Sequence, residues 1–178
     1  MDALELRQAV VFAARFELYA QRWALDGVEL QQSVTSTAES IPAEWVPIAD
    51  AARVREYWAD VMPPGTPVHD YPEHWCGALC LFAIHRAGLG LDVFWQRGFA
   101  ARVLLPLKPG KLPQPGDVAY FKRYQHHAIV ESVDALGEKF DSIDGNQAPG
   151  IRRRAGRPLA SVAAFYSLEP LLLGGKAA

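Results

Sequence analysis

Apolar positions follow two rhythms along this chain, one helical in the first half and one strand-like in the second. From Leu4 to Leu25, Ala9, Phe12, Ala13, Phe16, Ala20 and Trp23 recur at the spacing of one helical face, and Gly27 ends the run. The stretch from Gly27 to Glu44 is polar, has little periodicity and reads as a long connection. A second helix is predicted from Ile48 to Val61, with Ile48, Ala51, Val54, Trp58 and Val61 as its stripe and "MPPGTP" as its stop. From Trp75 to Ala87 the chain is apolar nearly all round, the pattern of a helix buried on most sides, and Gly88 suits its C-cap. "FWQRGFAARVLLPL" predicts at most a short helix, from Gly98 to Leu105.

After the proline- and glycine-rich "KPGKLPQPGD" the rhythm changes. Short strand-like runs follow: Val118 to Phe121, His126 to Val133, Lys139 to Asp144 and Ala163 to Glu169, with "DALGE" as a hairpin turn between the second and third. Helices first and a meander of strands after them predict an α+β fold with an antiparallel sheet. The two N-terminal helices are too apolar on one side to stand alone. The expectation is one domain over 1–178, with an N-terminal helical part (1–62) and a core (70–168).

Composition narrows the classes of partner. The chain has 178 residues, half of them hydrophobic, and a formal net charge of −2, which gives no electrostatic reason to expect nucleic acid or an anionic membrane. "RRR" (Arg152 to Arg154), with Arg157 nearby, reads as a solvated face, with contact to an anionic polymer as the alternative. No run approaches the ~18 apolar residues of a membrane span, so membrane insertion is not expected. Arg15, Glu17 and Arg22 interrupt any signal-peptide core. Action outside the cytoplasm would then need release, a virion or another secretion route. The two cysteines, Cys76 and Cys80, lie one helical turn apart and read as free thiols.

Cys76 is the residue that raises chemistry. A cysteine reacts as thiolate, and a helix N-terminus or a neighbouring histidine lowers its pKa. Cys76 falls in the first turn or two of the central helix, behind "HDYPEH", where Asp70 is a candidate cap. Gly77 leaves room for a substrate backbone, and Cys80 should lie deeper and be chemically quiet. A lone cysteine on an apolar helix is ordinarily packing, so a partner is required. "YQHHAIVESV" offers one. Alternation puts His126 with Ala128 and Val130, and His127 with Ile129. His126 is the candidate base, because a small residue two positions on would let strand and helix pack closely; His127 stays open. Asp144 and Asn146 in "DSIDGNQ" are candidates to orient the imidazole from the next strand, and a mere turn is the alternative for that segment.

Four segments together resemble the CHAP family (cysteine, histidine-dependent amidohydrolases and peptidases) and the related NlpC-type cell-wall peptidases. "WCGALCLFAIHRAG" looks like the nucleophile helix, "QPGDVAYF" like the proline-glycine-aspartate turn entering a strand, "HHAIVESV" like the histidine strand and "IDGNQ" like the E-x-N segment. The resemblance covers roughly Asp70 to Leu168. It implies a papain-like fold, with a nucleophile helix packed on an antiparallel sheet, and a Cys76–His126–Asp144/Asn146 thiol mechanism through an acyl-enzyme. It also implies peptidoglycan or its peptide stems as substrate, cleaved as an amide by an amidase or endopeptidase, with no cofactor. Asp144 stands where the family often has glutamate, and His127 where it has an apolar residue. Tyr71, Trp75, Gly77 and His127 are then the candidates to line a substrate groove, with core packing as the alternative for Tyr71 and Trp75.

Other readings rank below this one. The histidines and cysteines between His69 and His85 match no familiar zinc spacing. A papain-like protease or acyltransferase acting on protein, and a non-catalytic module of a phage or toxin system, would share the same residues.

Overall fold

The structure is a computed structural model that describes residues 1–23, 51–67, 75–96, 98–147 and 150–173. Helices α1 (Ala3–Trp23), α2 (Ala51–Val61) and α3 (Cys76–Arg86) lead into a short α4 (Phe99–Val103). Strands β1 (Leu105–Pro106), β2 (Val118–Phe121), β3 (His126–Val133), β4 (Lys139–Gln147), β5 (Gly150–Pro158) and β6 (Ala164–Ser167) follow, and α5 (Glu169–Leu172) closes the described chain. The strands form one sheet in the order β1-β6-β2-β3-β4-β5, and every neighbouring pair is antiparallel. This is the mixed α+β arrangement that the two rhythms predict. No helix among the described residues is long and apolar enough to cross a membrane.

Helix α3 is the hub. Every residue from Cys76 to His85 is buried, because α1, α2 and the sheet all pack on it. It ends in a Schellman cap: Gly88 takes φ +78, its N–H donates to His85 O at 2.8 Å, and Leu89 N–H reaches Ile84 O at 3.1 Å. The sheet is covered on both faces, which explains why β3 lacks a clean polar alternation. Val118, Ile129, Ile143 and Ile151 join the helices in one core. Ala119, Phe121, Ala128, Val130 and Phe140 form a second core on the other side. Ala128 therefore does not make room for the helix, contrary to the packing reason suggested for it; Ile129 is the β3 residue on the helix side.

Two sequence expectations are corrected here. The buried face of α1 is Arg7, Val10, Val11, Ala14, Glu17 and Leu18, while Phe12 and Phe16 are exposed. The large aromatics set the predicted phase wrongly, since the true face includes two charged residues that burial tolerates only because they are paired. Arg7 donates to Asp117 Oδ1 at 2.6 Å, and Glu17 accepts from Arg53 Nε at 2.8 Å and from Tyr57 Oη at 2.7 Å. Asp117, the acid of the "QPGD" turn, also accepts the N–H groups of Gln114 and Leu168. That turn is a knot joining α1, β2 and the chain after β6.

The second correction is β5. Its arginine-rich sequence reads as a solvated face, and Arg154 is exposed, yet the segment pairs along β4 and two of its cations, Arg153 and Arg157, meet buried or half-buried acids. Arg153 bonds Glu131, and also Asp141 at 2.7 Å. Arg157 bonds Asp144 at 2.6 Å.

Candidate functional site

Cys76 is the first residue of α3, after Trp75 in the N-cap position. No side chain caps that end, and Asp70, the candidate cap, lies outside the described residues with Tyr71. The thiol is 3 % exposed. The side chains of His126 and His127 both lie close enough to lower its pKa. Strand β3 supplies both histidines from its first two positions, and β2 pairs with it so that Phe121 faces His126 and Tyr120 faces His127.

His126 donates through Nε2 to Asp144 Oδ2 at 3.0 Å, which leaves Nδ1 for the thiol. The register of β3 on β4 sets Asp144 opposite Ala128, diagonal to His126 on the same strand face. Asp144 is fully buried, and Ser142 donates to its other oxygen, Oδ1, at 2.5 Å. Asp144, and not Asn146, thus holds the His126 bond. Asn146 follows in left-handed backbone (φ 55), half-buried, where the β4–β5 register shifts. The "DGN" segment is consequently part of a strand with an irregularity rather than a free turn.

The charges follow from these contacts. Burial pushes the Cys76 thiol up, but hydrogen bonds from His126 and then His127, together with the His126 charge, bring it down to about 6. Burial pushes the His126 imidazole down, and its bonds to Asp144 and Cys76 more than offset this, leaving it at about 9. Burial works against the Asp144 carboxylate, yet His126, Arg157 and Ser142 hold it below the usual carboxylate range. Between those limits the geometry favours a thiolate beside an imidazolium. Cys80, one turn deeper and fully buried, is pushed well above the ordinary thiol value by burial and by the Cys76 and Asp144 charges. Neither cysteine is in a disulfide.

The other candidates fall in different places. His127 packs between Phe99 and Tyr120, with ring centroids 5.3 and 5.0 Å away. A Cβ on Gly77 would lie 3.3 Å from Trp95 Nε1, 3.4 Å from Phe99 and 3.5 Å from His127 Nδ1. The space that Gly77 leaves is thus filled by an aromatic wall beside the thiol. Trp75 is buried at 4 % exposure, with Gly145 and Tyr57 against its indole, so its ring belongs to the core. Among the described residues no group of three or more His, Cys, Asp or Glu could hold a metal ion.

Sequence reasoning missed Ser142, Arg157 and the wall of Trp95, Phe99 and Tyr120. Ser142 was legible in principle, since it lies two residues before Asp144 on the same strand. Arg157 was not, because its partner is cross-strand and three other arginines precede it on the same strand. Comparison with protein-family models, curated proteins and solved structures finds no match to this chain.

Proposed function

We propose that this protein is a cysteine-dependent amide hydrolase with a papain-like arrangement of its site, acting on the peptide part of peptidoglycan. The observation that carries the chemistry is one connected chain of bonds. A thiol at a helix N-terminus is bonded to His126, whose far nitrogen is held by a fully buried Asp144. This is the geometry of an activated nucleophile with an oriented base. The choice of cell-wall peptide rests on the resemblance of "WCGALCLFAIHRAG", "QPGDVAYF", "HHAIVESV" and "IDGNQ" to CHAP and NlpC-type segments.

In this reading the Cys76 thiolate attacks the amide carbonyl, and the new S–C bond pushes the carbonyl electrons onto oxygen. The backbone N–H of Cys76, at the start of α3, donates to that oxyanion. As the C–N bond breaks, the His126 imidazolium protonates the leaving amine. The neutral imidazole then takes a proton from water, which hydrolyses the thioester and restores the ion pair. Asp144 keeps the imidazole oriented with Nδ1 towards the sulfur. The half-buried Trp95, Tyr120 and His127 form the wall against which the substrate lies, with the buried Phe99 behind them.

The test is digestion of purified peptidoglycan by wild type, Cys76→Ala and His126→Ala, with products identified by mass spectrometry. Release of muropeptides by wild type and by neither variant is the expected result, and the product masses name the bond. No release from several wall types by wild type would remove the cell-wall assignment.

A further inference from the structure

We propose that Arg157 is a positioning residue of this site, holding the buried Asp144 ionised and presented to His126. The inference rests on the thiolate–imidazolium reading above and adds a fourth residue to it. Asp144 sits among groups from three elements. From β3 comes His126, at 3.0 Å on Oδ2. From β4 itself comes Ser142, at 2.5 Å on Oδ1. From β5 comes Arg157, whose Nη1 donates to the same Oδ2 at 2.6 Å and to Ser142 Oγ at 3.0 Å. Serine, aspartate and arginine therefore close a three-membered ring of bonds. On the helix side lie Cys76 and Cys80 of α3, and Arg152 is the β5 residue opposite Asp144 in register.

The position of Arg157 is itself fixed. Its guanidinium lies 3.9 Å over the Phe121 ring and 5.9 Å from that of Phe140. Phe121 also packs on His126, at 6.0 Å between ring centroids. One aromatic ring thus braces both cations that share the Asp144 oxygen. A carboxylate with no solvent exposure stays charged only when nearby cations and donated hydrogen bonds together offset its lost hydration. Without Arg157, the group Cys76⁻–His126⁺–Asp144⁻ would carry a buried net charge of −1. Either Asp144 then takes up a proton and His126 loses its anion, or the extra negative charge opposes thiolate formation directly. Both routes make the Cys76 thiolate harder to form.

The experiment is the pH dependence of Cys76 alkylation by iodoacetamide, which needs no cell-wall substrate. Arg157→Met keeps the apolar stem over Phe121 and removes the charge. Its alkylation midpoint is expected to rise by about one pH unit or more above wild type, and Arg157→Lys is expected to return most of that rise. In an Asp144→Asn background Arg157→Met is expected to add no further rise, because Arg157 acts through Asp144. This double variant removes both charges of the pair together and so also serves if Arg157→Met alone does not fold. A midpoint that stays at the wild-type value in Arg157→Met, with only thermal stability reduced, overturns the proposal. So does a further rise of similar size in the Asp144→Asn background. Failure of the cell-wall reading has a separate signature: no muropeptide release by wild type with these alkylation shifts intact.

Discussion

Replacing His126 by alanine removes the largest influence that lowers the Cys76 pKa and leaves the burial that raises it. The thiol sits at about 6 against an ordinary 9.0. Losing the His126 hydrogen bond and charge should return the midpoint to about 9 or above, a difference of about 4 kcal/mol at ~1.4 kcal/mol per pH unit. The thiolate fraction at pH 7 then falls about ninetyfold, from roughly nine in ten to roughly one in a hundred. Rate falls less than population, because a more basic thiolate is intrinsically more nucleophilic, by about twentyfold over this range. The expected deficit in alkylation rate is therefore only about fourfold at pH 7 but about fortyfold at pH 5. The midpoint, rather than any single rate, carries the test. Iodoacetamide labelling from about pH 4 to about pH 10, read by mass spectrometry on the Cys76 peptide, measures it, and the fully buried Cys80 is the internal control. Asp144 keeps its bonds to Arg157 and Ser142 in the variant, so the fold should hold. A His126→Ala protein whose Cys76 still titrates near 6 would refute the assignment of His126 as the thiol's partner.

Further outcomes are expected in stability. Stability of the wild type should be nearly flat between about pH 6.5 and about pH 9. There the His126 contribution, present below 6.5 and lost as pH rises through about 9, is offset by the Cys76 contribution, which is lost as pH falls from 9.0 through about 6. Cys76→Ala removes the second and also the Cys76 share of what raises His126, so with Asp144 still holding the imidazolium, unfolding free energy should fall with rising pH by up to ~1.4 kcal/mol per pH unit over the lower part of that window only; a flat urea-derived profile would contradict this. Asp144→Ala strands the buried His126 and the half-buried Arg157 and should cost about 3 kcal/mol in urea denaturation. Gly145→Ala would put a Cβ 2.8 Å from Leu79 and Trp75, and should cost about 1–3 kcal/mol by the same measurement. Arg7→Ala leaves Asp117 buried with only the Gln114 and Leu168 N–H donors, and a loss of about 3 kcal/mol is expected in thermal or urea unfolding.

Local pattern alone was enough for β2 and β3, whose predicted bounds coincide with the observed ones. Each has an apolar, β-branched or aromatic centre and is bounded by turn residues, so propensity and burial agree. Helix α3 was legible for the same reason, and its all-round apolarity correctly marked it as the element on which the rest packs. The position of Cys76 at its start followed from the polar segment before it. Where charged residues are buried, pattern misled: the face of α1 and the strand character of β5 both depend on ion pairs to residues far along the chain, Arg7 to Asp117 and Arg157 to Asp144. Hydrophobicity along one segment cannot report a partner on another.

The same division applies to the site. Sequence alone determined that a cysteine opens an apolar helix, that a histidine pair opens a strand, and that an Asp-Gly-Asn run ends the next one. It left open whether any of them meet, and only the tertiary structure decided that. Antiparallel register places Asp144 diagonal to His126, the serine and arginine beside it keep its charge, and the second histidine is turned against Phe99, Tyr120 and Gly77. The physical reason is that a hydrogen bond needs atoms within about 3 Å, and that proximity is set by strand pairing and helix packing rather than by spacing along the chain.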